Sequence, residues 1–422
     1  MTGFDPERSR RADARAAAET VARDAYGRLV AILAARTGDL AAAEDALGDA
    51  FERALSRWPQ TGPPDNPQAW LLKTAQRRII DASRRSATAH GAVDHLAILA
   101  DEAASASAEP LADRRLTLMA ACAHPAIDAS VRTPLILQTV LGLSAERIAS
   151  TFLVSPAAMG QRLSRAKAKI REAGIRFEPP QRHALGERLE AICQSIYAAY
   201  STGWEMDDPT GGALIAGLAS EAIHLARLVT ALAPQRAEPK ALLALILYCE
   251  ARRSARRDGE DRFIPLSEQD PALWDHAMIE EAETLLKVAL AGGPPGRFGL
   301  EAAIQSVHSA RARTGHTDWR ALATLYDRLA ELGGGVGARL ARAAALGEAE
   351  GALIGLEALA GIEADAGDSL GDHQPYWATR AHLLVAAGRL EGALASYRRA
   401  AGLARDPRVR DFLLERADRL AR

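Results

Sequence analysis

Apolar positions recur at helical spacing from near Ala16 through Leu29, Ile32, Leu33, Leu40, Leu47, Phe51 and Leu55, until Trp58-Pro59 is expected to stop the run. The stretch that follows, Pro59, Gly62, Pro63, Pro64, Asp65, Asn66 and Pro67, cannot continue a helix and predicts a defined loop. Asn66 as N-cap and Pro67 at the first helical position open the next helix, which should run to about Arg85. Residues 86–110 are Ala, Ser, His, Asp and Glu with few large apolar groups, the composition of a linker. Helical periodicity returns from Leu111 to Ala173 and holds a sharply punctuated pair. Ser144 caps a helix through Ala149, Phe152-Leu153-Val154 makes a turn, and Ser155-Pro156 opens a second helix with Met159, Leu163, Ala166 and Ile170 on one face. This is helix-turn-helix spacing.

Beyond Phe177-Glu178-Pro179-Pro180 the pattern changes, and short helical segments alternate with turns from about His183 to Arg422. Gly388, Ala393, Tyr397 and Ala400 match the small and aromatic positions of a tetratricopeptide repeat. Tyr326 and Leu329 repeat the last spacing only, with Leu322 where the small residue belongs. Ala222, Ala226 and Val229 repeat the spacing without the aromatic and are followed by Pro234. The columns are offset by near multiples of a period of about 34 residues, so the C-terminal part reads as an array of helical hairpins.

Composition supports helices throughout. Alanine is abundant and aromatics are only 5% of a 422-residue chain, poor material for sheets. The expected fold is all-α, in more than one domain. Formal net charge is -2 against 52 basic residues, so any nucleic-acid contact must come from local clustering. The longest apolar run, about Ala241 to Cys249, is far shorter than a membrane span. The N-terminus has no secretory pattern, and Cys122, Cys193 and Cys249 are too widely spaced for a disulfide framework or a C-x-x-C metal site. A reduced, cytoplasmic protein without membrane contact is expected.

Charge does cluster. Lys73, Arg77, Arg78, Arg84 and Arg85 share one helix with Asp81 as its acid, and Arg162, Arg165, Lys167, Lys169, Arg171 and Arg176 crowd the second helix of the later pair. Guanidinium groups along a helix suit phosphate oxygens by charge and by forked hydrogen bonding, although a solvated face is the plainer reading of one such cluster. On the acidic side, Glu44, Asp45, Asp49 and Glu52 form a ridge beside Leu47, Phe51 and Leu55, where a partner with basic helices could dock.

The run from Asp39 to Phe51, followed by Trp70 to Asp81, resembles region 2 of the extracytoplasmic-function subgroup of bacterial sigma-70 family factors. The pair at 143–171 resembles region 4 of the same factors, and the whole layout is similar to sigma factors with a tetratricopeptide-like extension. The implied domains are region 2 over 16–86, a flexible linker over 87–110, region 4 over 111–178 and a helical regulatory array over 183–422. The resemblance implies that Glu44, Asp45, Asp49 and Phe51 bind the β′ clamp of core RNA polymerase, with the β flap as a further contact. It implies that Trp58, Asn66, Trp70, Lys73, Arg77, Arg78 and Arg84 engage the -10 promoter DNA. It places Ala157, Ala158, Gln161, Arg162, Arg165 and Lys167 at the -35 element, on a helix in the major groove. Gly48 departs from the glutamine common in the family, and Ala157, Ala158 and Met159 leave Gln161, Arg162 and Arg165 as the strong readers.

Nothing in the residues points to catalysis, a cofactor or a metal. Cys122 with His124 lacks further ligands, and Gly333-Gly334-Gly335-Val336-Gly337 lacks the Lys-Ser/Thr of a phosphate loop and reads as a joint. Gln269, Asp270, Trp274, Asp275, Trp319, Tyr326, Tyr376 and Trp377 offer groups for a peptide or small-ligand groove, with inter-helix packing as their default. Two other classes stay open: a stand-alone helix-turn-helix regulator with a repeat-type sensor, and a scaffold that recruits a peptide.

Overall fold

A computed structural model describes residues 6–90, 114–152, 154–178, 182–205, 217–366 and 370–421. The described residues are helical with no strand, one isolated bridge pairing Arg257 with Phe263. No helix among them is long and apolar enough to cross a membrane. The chain divides into two compact units, Met1–Ala231 and Leu232–Arg422.

The N-terminal unit opens with a three-helix bundle. Helix α1, Pro6–Thr37, does not run on into the next as the periodicity suggests. Gly38 takes φ +66, a left-handed conformation that a side chain would disfavour, and ends it. Asp39 then caps α2, Leu40–Thr61, accepting from the N–H groups of Ala41 and Ala42. The chain thus folds back, and α2 buries Leu40, Ala43, Leu47, Ala50, Ala54 and Trp58 against α1, which supplies Val21, Ala25, Leu29 and Leu33. Pro59 does not stop α2; the helix continues to Thr61. The bond a proline N–H would make there goes to the carbonyl of Leu55, an exposed residue where water can substitute, so the kink cost is small. Leu55 accordingly leaves the apolar face on which periodicity places it.

Helix α3, Pro67–His90, begins as expected: the Asn66 carboxamide oxygen accepts from the N–H of Ala69 at 3.0 Å, behind Pro67. It extends beyond Arg85, and the remainder of the expected 87–110 linker lies outside the described residues.

Four helices follow: α4 Arg115–Cys122, α5 Ala129–Thr139, α6 Ala145–Thr151 and α7 Pro156–Glu172. Ser144 and Ser155 cap α6 and α7, and Met159, Leu163, Ala166 and Ile170 form the buried stripe of α7. Helices α8, Arg182–Glu205, and α9, Leu218–Leu232, belong to this unit as well. The compact boundary therefore lies well beyond the composition change at Pro179-Pro180. The reason is that α8 carries Leu185, Leu189, Ile192, Cys193, Ile196 and Tyr200, all buried, and covers them against α4 and α5. Arg188 donates to the carbonyl of Ala120 at 3.0 Å, and Arg115 pairs with Glu221 of α9.

In the C-terminal unit each helix packs on its neighbours in sequence. Helix α10, Ala237–Glu250, is buried on nearly every side from Ala241 to Tyr248. An irregular stretch with three short 3-10 turns leads to α11 His276–Leu290, α12 Arg297–Ser309, α13 Arg311–Thr314, α14 Trp319–Glu331, α15 Gly335–Glu350, α16 Ala352–Ala366, α17 Gln374–Ala386, α18 Leu390–Leu403 and α19 Pro407–Leu420. The core is a chain of small clusters: Leu300, Ile304 and Leu322; then Leu340, Leu359 and Tyr376; then Ala381, Tyr397 and Ala400. The 388–400 column sits as a hairpin should, with the turn at Gly388 and Ala393, Tyr397 and Ala400 buried between α17 and α18. Of the glycine run at 333–337, Gly333 and Gly334 make the tight turn after α14, and Gly335 opens α15.

Burial also sets a titration. His308 of α12 stacks edge-on against Trp319, with ring centroids 6.1 Å apart. Burial, reinforced by Arg252 and Arg311, pulls its pKa down from 6.5 to about 4. The unfolded chain takes up a proton near 6.5 and the folded chain does not until about 4, so this contribution is intact above 6.5 and is lost as pH falls through that window. Urea unfolding of the C-terminal unit should show up to about 3 kcal/mol lost between about pH 7 and about pH 4, and His308→Gln should flatten the slope. An unchanged slope in the variant would assign the acid sensitivity elsewhere.

Candidate functional site

The two charge clusters and the acidic ridge all fall in the N-terminal unit, on α2, α3 and α7. On α3, Lys73, Arg77, Arg78 and Arg84 are exposed; Lys73, Arg77 and Arg84 lie on the side opposite Leu71 and Ala75, which are buried, and Arg78 lies on the flank that meets α2. Trp70 is half-buried at the start of this helix. Trp58 is 1% exposed and packs edge-on against Trp70 at 5.5 Å between centroids. A ring so enclosed cannot stack on an extruded base, so Trp58 is a core anchor and leaves the set of expected DNA contacts. Asn66 spends its carboxamide oxygen on capping α3, a positioning task.

Helix α7 presents Ala157, Gln161, Arg162 and Arg165 to solvent, with Ala158 half-buried behind them. Steps of three and four put Ala158, Gln161, Arg162 and Arg165 on one helical face. Lys167 does not belong to it. It lies beside the buried stripe of Leu163, Ala166 and Ile170, and its ammonium meets the carboxylate of Glu44 on α2 at 2.5 Å. The two side chains are 15% and 12% exposed, so Lys167 is withdrawn from the -35 set and Glu44 from the open part of the acidic ridge.

A second bridge runs beside the first, Arg171 to Asp39 at 3.3 Å. Positions 167 and 171 lie one turn apart on α7 and meet 44 and 39 in reverse order, so the two helices run antiparallel where they touch. Burial raises the pKa of Glu44, and Lys167 pulls the other way. One carboxylate oxygen of Glu44 is buried without a hydrogen-bond partner. Nearby the backbones close up: a Cβ on Gly27 of α1 would lie 1.9 Å from the carbonyl oxygen of Val140, just after α5. Only glycine permits that approach.

Asp45 and Glu52 remain exposed, Phe51 is half-buried, and Asp49 pairs with Arg78 of α3 at 2.5 Å. An open groove between α2 and the α5–α6 turn is lined by Tyr26, Asp45, Asp49, Arg78, Ser144 and Lys167. Both acids and bases line it, which suits a polar partner surface. Among the described residues no group of three or more His, Cys, Asp and Glu side chains could hold a metal.

Sequence reasoning missed the Glu44–Lys167 and Asp39–Arg171 bridges. A signal was present: each α7 partner follows a buried position, Ala166 or Ile170, by one residue, at the edge of the apolar stripe where a charge must meet whatever covers it. In the C-terminal unit the expected groove groups are engaged in packing. Trp274 is buried with the Arg311 guanidinium 5.3 Å from its ring centre, Asp275 caps α11, Tyr376 is buried, and Trp377 donates to the carbonyl of Gly371.

Residues 22–88, which cover most of the three-helix bundle, match sigma-70 region 2. Residues 188–290 match a family of unknown function, DUF6596, which begins on α8 and runs across the division between the two units to α11. No solved structure matches the chain. An uncharacterized protein of Rhizobium meliloti is 37% identical over 387 residues, 90% of each chain. With similarity at that level over nearly the full length, the chain belongs to the family of that rhizobial protein, and its N-terminal domain is a sigma-70 region 2.

Proposed function

We propose that this protein is an alternative sigma factor of the extracytoplasmic-function type, which binds core RNA polymerase and directs it to -35 and -10 promoter elements. The single observation that carries this reading is the sigma-70 region 2 match lying on a bundle with an acidic α2 and a basic α3. In this reading Asp45, Asp49 and Phe51 face the β′ clamp, with Glu44 joining them when exposed. Trp70, Lys73, Arg77, Arg78 and Arg84 hold the melted -10 strand, where arginines track phosphates and an aromatic edge supports unstacked bases. Helices α6 and α7 act as a helix-turn-helix, with Gln161, Arg162 and Arg165 reading the -35 duplex and Ala157 and Ala158 allowing close approach to the groove. The protein works without a cofactor of its own, and the chemistry of RNA synthesis belongs to the polymerase. The C-terminal array, of tetratricopeptide-like hairpins, modulates this activity in cis. A stand-alone regulator has no need of α2 and α3, which is why the region 2 match favours the sigma reading.

Run-off transcription with core polymerase should yield a promoter-specific transcript from the full chain. Comparison with residues 1–231 gives the sign of the array's effect, and this cut keeps α8 over the faces of α4 and α5 that it covers, with the Arg115–Glu221 pair intact. Asp45→Arg with Asp49→Arg should weaken core binding by about 3 kcal/mol, roughly a hundredfold, while duplex affinity stays unchanged. Retained core binding would count against the model. Alanine at Lys73 or Arg77 should lower the salt slope of promoter binding by roughly one unit each without changing sequence preference.

A further inference from the structure

The acidic ridge of α2 is suited to a partner that offers basic helices, and in this structure it already holds one. Helix α7 brings Lys167 to Glu44 and Arg171 to Asp39, while its other cations, Arg162, Arg165 and Lys169, are exposed. We propose that the contact between α2 and α7 is an autoinhibitory clasp, in which α7 occupies part of the polymerase-facing side of α2 and must release it before core polymerase binds. The proposal rests on the polymerase reading of α2.

Three observations support the clasp. The ion pair takes Glu44 out of the solvent-exposed ridge, which leaves Asp45 and Glu52 of the same helix open. The pair is only half satisfied, since the second Glu44 oxygen is buried with no partner, so the closed state carries desolvation that its hydrogen bonds do not fully offset. A partner that exposes or doubly bonds this carboxylate therefore competes well against Lys167. The clasp is also seated by a backbone contact between two residues that neither the polymerase nor the DNA reading uses, Gly27 against Val140, which allows it to be disturbed without substituting a residue that meets polymerase or DNA. Because Arg162 and Arg165 stay exposed in the closed form, duplex binding by α7 is compatible with closure and polymerase binding is not.

A water-soluble carbodiimide tests this on the full chain, since it joins a carboxylate to an amine only when the two are in contact. The Glu44–Lys167 crosslinked peptide should form in the free protein, be read by mass spectrometry, and be absent from chains isolated on core polymerase. Protein crosslinked beforehand should fail to bind core yet bind promoter duplex as before. Gly27→Ala should lower the crosslink yield and tighten core binding by about tenfold, as expected when about one molecule in ten is open. No crosslink in the free chain overturns the proposal, as does a crosslink that persists on bound polymerase or a crosslinked chain that binds core normally. Any of these leaves the polymerase reading standing. If neither the native chain nor Gly27→Ala binds core at all, that reading falls and the clasp with it.

Discussion

Glu44 stands on the buried side of α2, next to Ala43 and between Leu40 and Leu47. Folding the N-terminal bundle against α7 therefore takes a carboxylate out of water, at a cost of several kcal/mol for an unpaired ion. The cost is met by one ammonium, that of Lys167, from a helix more than a hundred residues later in the chain. Much else in the unit follows from that pairing. Helix α7 must lie antiparallel to α2, which brings Arg171 to Asp39 and turns Arg162 and Arg165 outward. The end of α5 must approach α1 closely, which requires a glycine at 27. A hydrophobic residue pair of similar volume would hold the same helices together more cheaply. An ion pair does something that such a pair does not: it leaves both groups ready to serve a charged partner when they separate.

Most of the helices are legible in the sequence, and the physical reason is that their ends are local decisions. Asn66, Ser144 and Ser155 each place an acceptor one turn before an apolar stripe, and each caps as its neighbours alone would dictate. The break at Gly38–Asp39 is as local, yet it hides within an apolar periodicity that continues in phase from Leu33 to Leu40. Burial of Trp58 and the pairing of Lys167 are decided by which helix covers which, and no periodicity carries that. A tryptophan beside prolines and a lysine among arginines look the same whether they face DNA or a neighbouring helix. The charged face of α3 was legible because nothing in the described bundle covers it.

The division of the chain was the least legible feature. A composition change marks where the chain turns, at Pro179-Pro180, whereas a compact unit ends where apolar faces are satisfied. Helix α8 has no partner stripe within itself, so its buried side is covered by α4 and α5, and the unit closes only after α9. The C-terminal unit shows a different departure from a simple array. In a stack of hairpins contacts run between neighbours, but here the irregular stretch after α10 reaches the last helix. Arg408 pairs with Asp261 at 2.9 Å, Arg416 with Glu268, and Phe263 meets Phe412 edge-on at 5.6 Å between centroids. These ties join positions almost 150 residues apart and restrain the ends of the array against each other.

The last helix of the N-terminal unit reaches the same region from the other side of Pro179-Pro180. The Arg115–Glu221 pair links α4 to α9, and the shallow pocket beside it is lined by Tyr26 and Gly27 of α1 together with Val140 and Leu218. Glu221 thus reaches the place where α1 and the end of α5 close on each other, the seat of the contact between the two charged halves. A carboxylate there pairs with a guanidinium only 8% exposed. The family of unknown function matched at 188–290 begins with the helices that supply this carboxylate and ends in the second unit.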